Sequence, residues 1–139
     1  MREASHMGTQ RQVMQDYLDS LVKRADYSVY FTDDVVATFE GTDQRADGRE
    51  AAGELIRYVH QGAFDARPEL KSLLVDEGEG KAAIEADFVG THTAEFAGLP
   101  ATGRTVRVPY SVVYDLRSDQ ISALRIYFPM SLLMQQLTS

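Results

Sequence analysis

Two long strands and the tight turn between them are predicted within residues 104–129, RTVRVPYSVVYDLRSDQISALRIYFP. β-branched and aromatic residues are frequent in both halves of this stretch, and such residues favour pleated strands. Ser118 and Asp119 separate the halves and suit the two central positions of a hairpin turn. The stretch therefore predicts a hairpin of strands Arg104–Leu116 and Gln120–Phe128.

Counting outward from the turn predicts which side chains of the hairpin share a face, because side chains alternate along a strand. One face should carry the pairs Leu116–Ile121, Tyr114–Ala123, Val112–Arg125, Tyr110–Tyr127 and Val108–Pro129. The other face should carry Val113, Ser111 and Pro109 opposite Leu124, Ile126 and Phe128. Both faces are then largely apolar.

The rest of the chain reads as helices followed by further strands. Apolar residues at helical spacing predict helices over Thr9–Ala25 and Arg49–His60, with a short strand at Val35–Gly41 between them. Polar residues at 43–48 predict a turn. Beyond Pro68, two more strands and a closing helical turn are expected, at Glu69–Val75, Lys81–His92 and Met130–Leu137. Helices before an antiparallel meander predict an α+β fold, with the helices on the concave face of a curved sheet.

Length and composition are those of one soluble domain. The chain has 139 residues and a net charge of −7 without a basic cluster, which argues against nucleic acid or an anionic membrane as a partner. It has no cysteine, so thiolate chemistry is excluded and a cytoplasmic location is expected. Residues 1–7, which include His6, resemble an expression-tag remnant, and residues 8–139 are predicted to form the domain.

A sheet that is apolar on both faces needs a cover on both faces. The predicted helices cover the concave face, and a second copy of the chain is the simplest cover for the convex one. We therefore expect a homodimer through Val113, Leu124, Ile126 and Phe128. The alternative is a monomer whose apolar patch is partly screened by loops.

The other face of the hairpin is expected to line a pocket for a small hydrophobic molecule. Its predicted ligand-binding residues are Tyr110, Val112, Tyr114, Arg125 and Pro129. A buried guanidinium at Arg125 needs an acceptor, which a ligand carbonyl or carboxylate could provide. The alternative is that Arg125 lies toward the rim and pairs with a carboxylate, for which the candidates are Glu40, Glu85 and Asp87.

Two segments resemble a known family. Residues 90–104, GTHTAEFAGLPATGR, closely resemble the segment between two central strands of the SnoaL-like polyketide cyclases, which have the nuclear-transport-factor-2-like and ketosteroid-isomerase-like fold. Residues 127–137, YFPMSLLMQQL, resemble the closing segment of that family. With Gly48 before the second helix, the resemblance covers about residues 34–137. It implies a cone-shaped α+β fold and a cyclase or isomerase reaction without a cofactor.

The resemblance also implies an acid/base aspartate at the end of the last strand, where this chain has Pro129. Proline cannot exchange a proton, so that role does not carry over. Tyr127 could donate to an enolate oxygen, and His92 could transfer a proton at neutral pH, although His92 could instead organise the turn that follows it. His60 is read as a structural residue at a helix end. Two distant histidines predict no metal site.

Three functions stay open at this point. The chain could be a cofactor-free enzyme that polarises a carbonyl, or a binding protein that has kept the pocket and lost the chemistry. It could also be an epoxide hydrolase, a reaction known on the same fold. The hydrolase requires a carboxylate in the pocket, for which Glu40, Glu85 and Asp87 are the candidates. An enzyme requires at least one titratable group there.

Overall fold

The computed structural model describes residues 9–139, so the predicted tag remnant lies outside the described residues. Helix α1 spans Thr9–Lys23, and a 3-10 turn at Tyr27–Tyr30 leads into strand β1, Phe31–Phe39. Strand β2 spans Arg45–Asp47 and helix α2 spans Arg49–Arg57, followed by a π-helical turn at Tyr58–Gly62.

Four strands and a helix complete the fold. Strands β3, β4, β5 and β6 span Phe64–Asp76, Lys81–His92, Thr105–Arg117 and Gln120–Tyr127, and helix α3 spans Met130–Thr138. The sheet order is β2-β1-β6-β5-β4-β3. The last four strands form the predicted antiparallel meander, and β1 joins it parallel to β6. The result is an α+β cone with a curved, unclosed sheet, which confirms the predicted fold class.

The helices pack by the apolar stripes that their spacing predicts. Helix α1 buries Met14, Tyr17, Leu18 and Leu21. Helix α2 buries Ala52, Gly53 and Ile56. Tyr27 in the 3-10 turn ties these elements together, because its hydroxyl donates to the carbonyl of Gly53 at 3.0 Å. The helices therefore lie over the inner face of the sheet with a shared core.

The turn of the predicted hairpin is confirmed, but the predicted pairing holds only next to it. Ser118 and Asp119 both have positive φ, 52° and 62°, as in a type I′ turn. Leu116 pairs with Ile121 as predicted, whereas Asp115 pairs with Ala123. Ser122 is thus an extra residue in β6, a β-bulge, and its hydroxyl donates to the carbonyl of Asp115 at 3.3 Å.

The bulge reverses the faces that β6 was predicted to present, because strand side chains alternate with period two. Tyr114 and Val112 pair with Leu124 and Ile126. Val113 and Ser111 pair with Arg125 and Tyr127. The predicted pairs Tyr114–Ala123, Val112–Arg125 and Tyr110–Tyr127 are therefore wrong by one residue.

Other boundaries differ less. Strand β3 begins at Phe64, five residues before the predicted start, and strand β2 occupies part of the predicted turn at 43–48. The second helix was predicted to reach His60, but its α-helical part ends at Arg57 and a π-turn follows. Within the described residues, no helix is long and apolar enough to span a membrane.

Candidate functional site

A cavity of about 480 Å³ lies between the inner face of the sheet and the helices. Its wall is mostly apolar and draws on α1, α2, the π-turn, the inner face of β4–β6, the loop after β4 and the start of α3. Its aliphatic and aromatic lining includes Leu21, Ile84, Phe88, Val112, Leu124, Ile126 and Phe128. A cavity of this size and lining suits a small hydrophobic molecule.

Four tyrosines line this cavity. The hydroxyl of Tyr58, in the π-turn, donates to the carbonyl of Glu95 at 3.0 Å. The other three are Tyr17 from α1, and Tyr110 and Tyr114 from the same face of β5. Tyr17 and Tyr114 are each only 2% exposed, and their ring centroids lie 6.0 Å apart. Within residues 9–139, none of the three hydroxyls has a hydrogen-bond partner. Three donors therefore reach the cavity without a protein acceptor.

The tyrosine hydroxyls stay protonated at any physiological pH. Burial raises the pKa of Tyr17, Tyr110 and Tyr114 above the ordinary value of a phenol, because the charged phenolate loses its hydration. The neighbouring phenols raise the pKa of Tyr17 and Tyr114 further. Each group is thus a neutral hydrogen-bond donor, suited to a carbonyl or enolate oxygen, and a poor base.

His60 lines the cavity, although the sequence analysis assigned it a structural role alone. It lies in the π-turn after α2, is 9% exposed and lines the cavity. Its Nδ1 donates to the carbonyl of Ile56 at 2.8 Å, while its Nε2 is buried without a partner among residues 9–139. Burial lowers the pKa of His60, so the neutral ring is favoured.

The sequence gives little indication that His60 lines a cavity, because the residue is predicted to lie at the end of a helix. The π-turn changes that setting by adding a residue to the last turn of the helix, and such turns often occur at functional sites. Nothing in the residue types of 58–62, YVHQG, distinguishes this turn from a frayed α-helix.

His92 does not line the cavity, although it was a candidate catalytic residue. It is fully buried, and its ring stacks on Phe64 at 5.0 Å between centroids. Its Nδ1 accepts from the backbone N–H of Thr102 at 3.1 Å, and the Thr102 hydroxyl lies 3.0 Å from the same nitrogen. This geometry holds the loop between β4 and β5, the alternative role weighed for His92.

Tyr127 and Arg125 lie on the outer face, so the structure does not bring them to the cavity. Tyr127 is 48% exposed. Arg125 makes two hydrogen bonds with Asp115, at 2.9 and 3.0 Å, which is the expected kind of ion pair with an unforeseen partner. The β-bulge at Ser122 is the physical reason for both corrections.

The remaining predicted residues divide into two groups. Tyr110, Val112 and Tyr114 line the cavity as expected, since β5 follows the predicted alternation. Pro129 does not line it, but precedes α3 and accepts hydrogen bonds from the N–H groups of Leu132 and Leu133.

Most of the residues that were expected at a dimer interface lie on the inner face of the sheet instead. Leu124, Ile126 and Phe128 line the cavity, and only Val113 lies on the outer face. From β6 the outer face offers Arg125 and Tyr127 instead, so it is less apolar than the predicted register implied. The homodimer itself stays a prediction.

No carboxylate lines the cavity in the part of the chain that is described. Asp87 is held on the outer face by Lys71 at 2.9 Å and Arg107 at 3.0 Å, and these cations lower its pKa. Glu85 accepts from the Ser72 hydroxyl at 2.9 Å, and Glu40 is exposed. The three carboxylates considered for an epoxide hydrolase are therefore outside the cavity. Residues 9–139 contain no group of three histidine or carboxylate side chains placed to hold a metal ion.

Comparison with known proteins places these features in a family. The sequence model of the SnoaL-like polyketide cyclases matches residues 11–137. None of the curated protein sequences is significantly similar to the chain.

Solved structures show the same fold at low sequence identity. A protein designated a polyketide cyclase from Xanthomonas campestris pv. campestris has a TM-score of 0.82 and 17% identity, covering 94% of this chain and 97% of its own. One designated a SnoaL-like polyketide cyclase, from Jannaschia sp. CCS1, has the same TM-score and identity, covering 94% and 92%. An LEH-like epoxide hydrolase of M. tuberculosis has a TM-score of 0.72 and 17% identity, covering 93% and 89%.

Proposed function

Since the chain belongs to the SnoaL-like polyketide cyclase family, we propose that its cavity takes a small hydrophobic carbonyl compound. The carbonyl oxygen accepts hydrogen bonds from the hydroxyls of Tyr17, Tyr110 and Tyr114. The observation that supports this proposal is that the three hydroxyls have no acceptor among residues 9–139, although their side chains line the cavity. A ligand oxygen that accepts a hydrogen bond from one of these hydroxyls would gain the net energy of a hydrogen bond, about 0.5–1.5 kcal/mol.

The same donors support chemistry at the carbon next to the carbonyl. When a water molecule takes a proton from that carbon, negative charge moves to the oxygen, and fixed neutral donors in an apolar cavity stabilise such charge strongly. A cyclase or isomerase reaction of the family's kind would use this effect. The tyrosines would act as oxyanion donors in it and would not remove the proton themselves.

A non-catalytic binding protein is the second candidate, and Pro129 is the observation that favours it. The family resemblance implies an acid/base aspartate at this position, and proline offers none. Both candidates share the cavity and its donors, and they differ only in whether a bound carbonyl compound exchanges protons. The hydrolase is not proposed, because its three candidate carboxylates lie outside the cavity.

The binding test compares a ketone with its hydrocarbon analogue. Wild-type protein should bind 2-acetonaphthone more tightly than 2-ethylnaphthalene, as measured by fluorescence titration. Tyr110→Phe should weaken binding of the ketone about threefold to tenfold, the value of one net hydrogen bond, and leave the hydrocarbon unchanged. Tyr127→Phe, on the outer face, is the matched control. A ketone preference that survives Tyr→Phe changes at all three cavity positions would contradict the proposal.

A second measurement separates the enzyme from the binding protein. The acetyl hydrogens of 2-acetonaphthone exchange with deuterium through the enol, and proton NMR in D₂O follows their loss. Faster exchange with wild-type protein than with Tyr110→Phe indicates catalysis of enolisation. Binding without faster exchange indicates that the cavity only binds.

A further inference from the structure

A short hairpin in the loop between β4 and β5 forms part of the cavity wall. Phe96 and Leu99 pair with each other, and their two N–H to carbonyl distances are 3.0 and 2.8 Å. Between them, Ala97 and Gly98 both have positive φ, 51° and 81°, as the two-residue loop of a tight hairpin requires. Phe96 and Ala97 line the cavity. Residues 95–99 are therefore a compact unit of the wall, which we call the flap.

The flap lies where the cavity opens to solvent. Most of the lining residues from the sheet are buried. The exposed lining residues are Thr42 and Gln44 of the β1–β2 turn, Tyr58 of the π-turn and Ala97 of the flap. Since residues that line a cavity and are also exposed mark its mouth, the mouth lies between these three segments.

One stacked ring pair and one hydrogen bond hold the flap against the π-turn. The ring centroids of Tyr58 and Phe96 lie 6.2 Å apart, with 27° between the ring planes. The Tyr58 hydroxyl donates to the carbonyl of Glu95 at 3.0 Å, the only hydrogen bond that joins residues 95–101 to the rest of the described chain. Apolar contacts with the core add to this, including the Phe64 ring at 5.3 Å from that of Phe96. A segment with so few attachments opens at a lower free energy than the strands beside it.

The backbone on both sides of the flap is anchored more firmly. Before it, the N–H groups of Thr93 and Ala94 donate to the carbonyl of Ala63 at 2.9 and 3.1 Å. After it, the N–H of Thr102 donates to Nδ1 of the buried His92 at 3.1 Å. These two anchors fix the points about which the flap can turn.

We propose that the flap is a gate at the cavity mouth and that the Tyr58 hydroxyl holds it closed. An apolar molecule enters or leaves when the hydrogen bond to Glu95 breaks and the flap turns away from the π-turn, as lids do over other binding sites. The gate goes beyond the proposed function, because it requires a cavity that takes an apolar molecule but no carbonyl group. Tyr58 binds the flap both with and without a ligand, so it sets the rates of entry and exit and not the affinity.

The test follows the binding of 2-ethylnaphthalene, which has no carbonyl group, by stopped-flow fluorescence. Tyr58→Phe keeps the ring and removes the hydroxyl. It should raise the association and dissociation rate constants together by about threefold to tenfold, the value of one net hydrogen bond, and leave the dissociation constant within about a factor of two. Tyr127→Phe, on the outer face, is the matched control and should change neither rate constant. Unchanged rate constants in Tyr58→Phe, or a change in only one of them, overturn the proposal.

Hydrogen exchange followed by NMR tests the gate without a ligand. A two-residue hairpin that has left the wall no longer protects its amides, so Tyr58→Phe should speed exchange of the N–H groups of Phe96 and Leu99 by the same threefold to tenfold, roughly one hydrogen bond. The N–H groups of Ile84 and Val112, in the paired strands β4 and β5, are the internal control. Equal exchange of the flap amides in wild type and variant overturns the gate. If 2-ethylnaphthalene does not bind to wild-type protein, the proposed use of the cavity fails for this probe, and the exchange of the flap amides alone decides whether Tyr58 holds the flap closed.

Discussion

The two faces of the β5–β6 hairpin differ in how they carry polarity. On the inner face, the polar groups are neutral tyrosine hydroxyls in an apolar wall. On the outer face, charged side chains pair with one another: Asp115 binds both Arg125 and Lys81, and Asp87 binds both Lys71 and Arg107. The comparison shows why a chain with 21 acidic residues can have a cavity that no carboxylate of residues 9–139 lines. Ionised groups lie outside the cavity, where water or a partner of opposite charge stabilises them, while groups that stay neutral can line it.

A single residue maintains this difference between the faces. Without the bulge at Ser122, Arg125 and Tyr127 would point into the cavity, and Leu124 and Ile126 would face outward. A guanidinium would then be buried without its partner Asp115. The bulge is therefore a condition for the apolar cavity, and substitutions on either side of it can test the assignment of faces.

The largest effect is expected from Leu124→Asp compared with Tyr127→Asp. Leu124 is 2% exposed, so its replacement buries a carboxylate in an apolar wall and should lower the free energy of unfolding by about 4 kcal/mol or more. Tyr127 is 48% exposed, and its replacement should cost about 0.5 kcal/mol. Urea denaturation measures both. If the Tyr127 variant lost more free energy of unfolding than the Leu124 variant, the register without a bulge would be supported and the observed one contradicted.

The next effect tests how tightly the inner face curves at β3 and β4. A Cβ atom added at Gly90 would lie 2.4 Å from the Cβ of Ala66 and 2.5 Å from the carbonyl oxygen of Asp65. Because the neighbours include backbone, Gly90→Ala should destabilise the protein by about 3 kcal/mol, at the upper end of the cost of overpacking. Thr91→Ala, one residue further on the outer face, is the matched control and should cost less than about 1 kcal/mol. Equal melting temperatures for the two variants would refute the close approach.

Much of the fold could be predicted because it depends on local patterns. The apolar spacing in Thr9–Lys23 indicates a buried helical stripe, and the residue types at 118–119 indicate a tight hairpin turn. Strand β4 has the predicted bounds, Lys81–His92. Three of the predicted pocket residues, all on β5, line the cavity, since β5 has no irregularity between Tyr110 and Tyr114.

The errors in the predicted site come from irregular backbone, which residue types do not determine. A bulge adds one residue to a strand without a required amino acid, and Ser122 is unremarkable in its segment, QISALRIY. The π-turn at 58–62 likewise has no sequence signal. Tyr17 could be identified as a pocket residue only if the distance between α1 and β5 were known. That distance depends on tertiary packing. Long-range geometry therefore explains what local patterns missed.

The smallest effect concerns the ion pair that the bulge leaves on the outer face, and it has a defined pH dependence. The Arg125 guanidinium lowers the pKa of Asp115 to about 2, assisted by Lys81. A carboxyl whose pKa is lower in the folded state adds stability above its unfolded pKa of about 4, and this stability is lost as the pH falls toward 2. Asp115 is one third exposed, so Arg125→Gln should cost no more than about 1 kcal/mol at neutral pH. The difference in the free energy of unfolding between wild type and variant should narrow between pH 4 and pH 3, as measured by urea denaturation.

The control is Arg117→Gln, which removes the more exposed ion pair with Asp34. It should produce a smaller difference in the free energy of unfolding. A gap for Arg125→Gln that is constant from pH 7 to 3 would mean that Asp115 does not depend on Arg125, and that Arg125 contributes to the outer face only through the packing of its side chain.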